Sequence, residues 1–326
     1  MSLPAELGVV LPARTRPAPL SFDELLRIAE DVDANHRWGQ LWVPDSILAL
    51  PFYESTVLLA ASAARTRRVQ LGVSCLASLG LRHPVIVAQQ WANLDALSGG
   101  RMILVACPGN ATGAAVASEL RVFGLDYQEK VARFEEYVDF LRQVSAAEEV
   151  DFSGRYLQVS GLSLRPAFVQ RPLPIWVVGN PSAAAGPKTL GRVLGRVARL
   201  GSGWMTYNVT PDTLRTRVEY LADLRAGLGQ PTERFPVCTF VNANVNPDER
   251  QAYEDAAAKW SQQSTRNISV EDLQQVGAIG SPARCADFIA RLVDAGTTHI
   301  ALELLATDPH KQLELMSEHL LPLLSA

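Results

Sequence analysis

The chain has few cysteines: only Cys75, Cys107, Cys238 and Cys285 occur in 326 residues. They lie far apart, with no CxxC pair and no histidine at zinc spacing, so neither a disulfide framework nor a zinc cluster is indicated. Reduced, buried thiols in a cytoplasmic protein are the expected state. No apolar run reaches the roughly 18 residues of a membrane helix. Residues 1–11 lack the basic stretch and apolar core of a secretion signal. A soluble, cytoplasmic protein with no membrane contact is expected. Lysine is scarce, four of thirty cationic residues, and no basic cluster breaks a net charge of −4. Nucleic acid is therefore not an expected partner.

Short apolar runs alternate with longer helical patterns from end to end. Strands are expected at 7–11, 40–43, 69–75, 102–106, 174–178, 203–206, 235–245 and 299–304. Helices are expected between them, among them one opened by the capping box Ser21…Glu24, one starting at Pro84, and one over 211–227. Residues 150–164 carry turn signals between β-prone pieces and read as a hairpin-like insertion. Residues 267–280 read as a second insertion, and 111–125 as a loop. Eight continuously apolar strands separated by helices imply a parallel sheet, and eight such units favour closure into a (β/α)8 TIM barrel. An open doubly wound sheet competes, but no GxGxxG follows the first strand. One domain over 1–326 is expected.

In such a barrel, chemistry sits at the C-terminal strand ends. Here those ends carry Pro44-Asp45-Ser46, Ser74-Cys75-Leu76, Cys107 to Asn110, Gly179-Asn180-Pro181, Thr206 to Asn208, Asn242 to Asn246, and Glu303. The set is rich in amides and small residues and lacks the dense Asp, Glu and His group of a hydrolytic metal site. Such a rim suits a flat ring that brings its own reactivity.

Leu71-Gly72-Val73-Ser74, Arg82-His83-Pro84 and Leu94 to Arg101 resemble, in order, the signature stretch of the bacterial luciferase-like family of flavin and deazaflavin oxidoreductases. Leu41 to Asp45, Ala63 to Thr66, Pro172 to Ile175 with Gly179, Ala198 to Trp204, and Ile279 to Gly296 are similar to its other units. The resemblance implies a luciferase-like barrel that binds FMN or F420, with homodimers formed through barrel helices. It places a non-prolyl cis peptide at Ser74–Cys75, or one residue later, beneath the central ring. It assigns cofactor contacts to Asp45, Ser74, Cys75, Leu76, Gly109 and Asn110. It puts the phosphate near Gly179, Asn180, Gly186 and Lys188, where free amides at a helix start would receive it. His83 and Trp42 read as loop and packing residues, and Ser98 to Arg101 as a helix stop.

The chain departs from F420-using relatives at two positions. Ser46 follows Asp45 where many carry His, and Asn110 follows Gly109 where some carry Glu. Ser46 and Asn110 remain the candidate catalytic residues, as hydrogen-bond donors rather than proton shuttles. The expected function is hydride transfer from reduced F420, or FMN-dependent oxygenation, on a small organic substrate. A catalytically silent flavin-binding relative is the alternative, and an unrelated aldolase- or isomerase-type barrel is a third. The arginine bias of a GC-rich genome tilts the cofactor towards F420.

Overall fold

The computed structural model describes residues 5–182, 184–231, 233–263 and 269–324. In chain order the first half runs β1 (Glu6–Val10), α1 (Phe22–Ala34), β2 (Gln40–Val43), α2 (Ser55–Arg65), β3 (Gln70–Leu76), α3 (Pro84–Ser98), β4 (Met102–Ala106), α4 (Ala114–Val122) and α5 (Tyr127–Ala146). Then come the hairpin β5 (Val150–Ser153) and β6 (Gln158–Leu162), β7 (Ile175–Val178), α6 (Pro187–Leu200), β8 (Gly203–Tyr207), α7 (Pro211–Gly227), β9 (Val237–Val245) and α8 (Glu249–Gln263). The chain closes with α9 (Val270–Val276), β10 (Ala278–Gly280), α10 (Pro282–Asp294), β11 (His299–Leu304), α11 (Pro309–Leu315) and, after a π turn, α12 (Leu321–Leu324).

Strands β1, β2, β3, β4, β7, β8, β9 and β11 pair in that order, and β11 returns to β1. Every pairing is parallel, so all eight C-terminal ends open on one mouth. This is the expected (β/α)8 barrel. Side chains alternate between two layers, as the strand period of two requires. Leu, Ile and Val of one phase pack against the helices. The other phase fills the barrel: Val10, Trp42, Ile103, Val105, Trp176, Val178, Met205, Cys238 and Ala301, with Cys75, Cys107 and Phe240 packed on them.

Two tryptophans plug the lower barrel, and glycines on neighbouring strands make room for them. A Cβ on Gly72 would clash with the Cζ3 and Cε3 edge of the Trp42 ring, and one on Gly8 would come within 2.6 Å of its Nε1. Gly203 gives Trp176 the same space. The two rings meet at 5.7 Å between centroids. Trp42 is therefore a packing residue, fully buried.

One local expectation is corrected and another is filled in. The stretch 111–125 holds helix α4 rather than a loop; its N-cap is Gly113, without a capping side chain, so no start signal marked it. The insertion at 267–280 contains α9 and a ninth sheet strand, β10, which pairs with the far end of β9 (Ala278 with Ala243). Residues 267 and 268 of that insertion lie outside the described residues. The hairpin at 150–164 forms as β5 and β6, antiparallel.

Candidate active site

The mouth is built around a bulge at the end of β3. Its register against β4 shifts between Val73 and Leu76, and the Ser74–Cys75 peptide is cis. This is the first of the two positions the resemblance allowed. The bulge changes which side chains face inward. Cys75 packs on the inner cluster, whereas Leu76 joins the layer facing the helices. Leu76 thus offers the mouth only its backbone. Ser74 Oγ is buried with no hydrogen-bond partner.

Asp45 holds this bulge in place. One carboxylate oxygen accepts from Ser55 Oγ at 2.7 Å at the start of α2; the other accepts from Ser78 N at 3.0 Å and Ser78 Oγ at 2.7 Å. Arg82 closes the network at 3.3 Å from Asp45 and 2.8 Å from Glu54. With its oxygens so occupied and the residue buried, Asp45 acts as a support for the loop after β3 rather than a free ligand. Ser46 Oγ accepts from Leu50 N at 2.9 Å, closing the next turn and leaving its hydroxyl proton available.

At the end of β4, Cys107 and Cys75 share a hydrogen bond inside the barrel. The bond from Cys75, with the Gly109 N–H at 3.2 Å and the nearby Lys130, holds the Cys107 thiol below its ordinary value despite burial. The same contact and burial push Cys75 up. Gly109 has φ +76°, and a Cβ there would press on Lys130 Nζ at 2.8 Å and Ala77 O at 3.3 Å. Glycine lets the β4 loop lie against the β3 loop. Asn110 stands exposed beside it. Beneath, Lys130 pairs with Glu119 at 3.8 Å, both nearly buried, and Glu119 accepts from Leu48 N and Ala49 N. Helices α4 and α5 and the loop after β2 are tied into one rim.

The opposite rim starts at β7. Gly179 is buried against Val197 and Trp204, whose Nε1 donates to its carbonyl at 2.8 Å. Its small size serves strand–helix packing. Asn180 Oδ1 accepts from Thr206 Oγ1 at 3.0 Å and Arg217 at 3.3 Å, so its NH2 group is what it has left to offer. Gly186 caps α6 in open space with no capping side chain, and Lys188 follows, exposed, in the first turn. Asn242 Nδ2 reaches Asn208 at 3.3 Å, and its Oδ1 is buried without a partner. The strand ends named from the sequence thus all lie at the C-terminal end of the parallel barrel.

A family model for luciferase-like monooxygenases matches residues 5–299. The chain belongs to that family. It is similar to the F420-dependent glucose-6-phosphate dehydrogenase of Kineococcus radiotolerans, 29% identical over 80% of each chain. The same-named protein of Amycolatopsis mediterranei is 25% identical over 89% of this chain and 84% of that one. Among solved structures, the monooxygenase RslO1 of Streptomyces bottropensis superposes with TM-score 0.79 at 23% identity, covering 97% of this chain and 99% of that one. An F420-dependent secondary alcohol dehydrogenase does so with TM-score 0.80 at 17% identity, over the whole of both chains.

Within this luciferase-like chain the signature at 94–101 is scaffold. Asp95 accepts from Val169 N, Gln170 N and Gln170 Nε2 at 2.7–2.8 Å. Gly99 ends α3 at φ +69°, and Arg101 donates to carbonyls of Ser98, Thr66 and Val69. His83 is the exposed N-cap of α3 and makes no capping bond. Among the described residues no group of His, Cys, Asp and Glu could hold a metal ion, and no helix is long and apolar enough to cross a membrane. Sequence reasoning overlooked Lys130, Arg217 and Arg14. The readable signal was rarity: Lys130 is one of four lysines and falls on the buried face of α5.

Proposed function

We propose that this chain, read as one domain, is an oxidoreductase that binds a reduced flavin-type cofactor across the mouth, F420 in preference to FMN. The observation that carries the proposal is the run of relatives named F420-dependent, matched over four-fifths of both chains. The mouth suits the group. Ser74 Oγ and Asn242 Oδ1 are buried polar atoms with no hydrogen-bond partner among the described residues, and a bound ring edge would satisfy them.

When bound, the cofactor supplies hydride transfer (F420) or activation of O2 (FMN). The chain's own part is binding and orientation. Ser74 and Cys75 at the bulge would hold the ring, with Leu76 contributing backbone only. Asp45 fixes that bulge from behind, and Gly109 and Asn110 border it. The open start of α6 would receive phosphate through the Lys188 ammonium and the positive end of the helix dipole beside Gly186. Gly179 and Asn180 shape the turn that precedes it. Ser46 and Asn110 donate hydrogen bonds to a substrate oxygen.

Titration of the purified chain with F420 and with FMN, followed by absorbance, tests this reading. Tighter binding of F420 is expected, and binding of neither would overturn it. Turnover with glucose 6-phosphate and a panel of small alcohols and carbonyls then separates an enzyme from the silent-relative alternative, which predicts binding alone. We also infer a cytoplasmic homodimer. Val57 on α2 and Ile86 on α3 are more than half exposed on helices that touch each other.

A further inference from the structure

The mouth holds one carboxyl that the site has not absorbed. Glu303 follows Ala301 of the inner cluster by two residues on β11, so it points into the barrel at its open end. Its register partners are Val10 and Asn242. The other mouth carboxylates are committed: Asp45 to Ser55, Ser78 and Arg82, Glu119 to Leu48, Ala49 and Lys130, and Asp255 of α8 to Asn244 and Thr307. Among the described residues, no hydrogen bond or ion pair within 4 Å reaches Glu303. Two cations face it from further off, Arg14 in the loop after β1 and Lys259 on α8. From β9 the facing side chains, Asn242 and Asn244, are uncharged. Arg14 Nε is itself buried with no partner.

We propose that Glu303 is the proton-transfer residue of this mouth, a role that rests on the reading of the site as an oxidoreductase pocket. It replaces the acid-base groups that Ser46 and Asn110 cannot supply. The transfer balances on its own. A substrate O–H bond breaks, its electron pair stays on oxygen, and the proton forms an O–H bond on a Glu303 carboxylate oxygen; the reverse direction runs the same steps backwards. Burial pushes this carboxyl up from the ordinary range, and Arg14 and Lys259 pull it part of the way back. A carboxyl raised in this way holds its proton more readily than a solvated one, while the two cations keep the charged form within reach, as a group that both takes and gives a proton requires. Arg14 and Lys259 stand ready to steady the charge left on the substrate oxygen.

Three measurements test it. Side-chain carbon NMR of 13C-labelled glutamate in the full chain, with Glu303→Gln to assign the signal, should show a midpoint above the ordinary value of about 4.3. Arg14→Gln should raise it further; an ordinary midpoint overturns the proposal. Glu303→Gln should bind F420 and FMN within about twofold of the wild type, yet lose roughly 10²- to 10⁴-fold in kcat, with one limb of the pH profile gone. Glu303→Asp should restore part of the rate and that limb. Cofactor binding lost in step with activity would mark a structural residue and overturn the assignment. If the wild-type chain binds neither cofactor, the oxidoreductase reading fails, and the NMR midpoint still decides whether Glu303 holds a raised proton.

Discussion

At the scale of single residues, the four cysteines divide both by exposure and by environment, Cys75 and Cys107 being half-buried. Cys238 and Cys285 are buried, and desolvation pushes both thiols well up, Cys285 to about 12. Cys107 moves the other way, because its sulfur accepts from Cys75 and the Gly109 amide and lies near Lys130. Thiolate, not thiol, is the nucleophile. Iodoacetamide at neutral pH should therefore label Cys107 first, leave Cys238 and Cys285 unmodified in the folded chain, and slow in Lys130→Gln. Peptide mass spectrometry reads the order; earlier labelling of Cys238 or Cys285 would contradict it. Prior saturation with F420 should protect Cys107 if the ring lies over the bulge. None of this was visible in spacing, because Cys75 and Cys107 meet only through the pairing of β3 with β4.

At the scale of elements, the inner layer depends on glycines placed beside tryptophans. Trp42 pairs across to Gly72 on β3, and Gly8 on β1 pairs with Gln40, two residues before Trp42. Gly72→Ala would press a methyl group into the edge of the Trp42 ring, and overpacking of this kind costs about 1–3 kcal/mol. Urea denaturation should show that loss, and Trp42→Phe in the same chain should recover part of it; additive effects would deny the coupling. The elements themselves were legible where strong boundaries coincide with strong patterns. Strands 40–43, 102–106 and 299–304 and helix Pro211–Gly227 appear with the limits read from the sequence. Strand β10 was not legible, because three residues form it and only the overlong β9 gives it a partner. The site was legible as a set of strand ends and opaque as a set of directions. One residue of phase at the β3 bulge turns Cys75 inward and Leu76 outward, and a period-two pattern cannot foresee that shift. The resemblance gives Asp45 as a cofactor contact; the hydroxyls that occupy its carboxylate come from α2 and the β3 loop, beyond any local signal.

At the scale of the whole molecule, assembly and acid stability follow from where apolar surface and buried charge lie. If α2 and α3 form the dimer face, light scattering should give twice the chain's 35.4 kDa, and Val57→Glu with Ile86→Glu should return the monomer with its barrel intact. Acid stability turns on His299, which sits inside the barrel against Trp176, ring centroids 4.8 Å apart. Burial pushes it down to about 4, against about 6.5 in an unfolded chain. Between these values the unfolded chain binds the proton and the folded chain does not. Stability is therefore complete above about pH 6.5 and falls as pH drops towards 4, by up to about 3 kcal/mol at one pKa unit per 1.36 kcal/mol. Replacing the ring with one that cannot charge, His299→Phe, should flatten the fall in unfolding free energy between pH 7 and 4.5 relative to the wild type. Parallel slopes for the two proteins would show that the histidine is already charged in the fold, and that the Trp176 contact survives a buried cation.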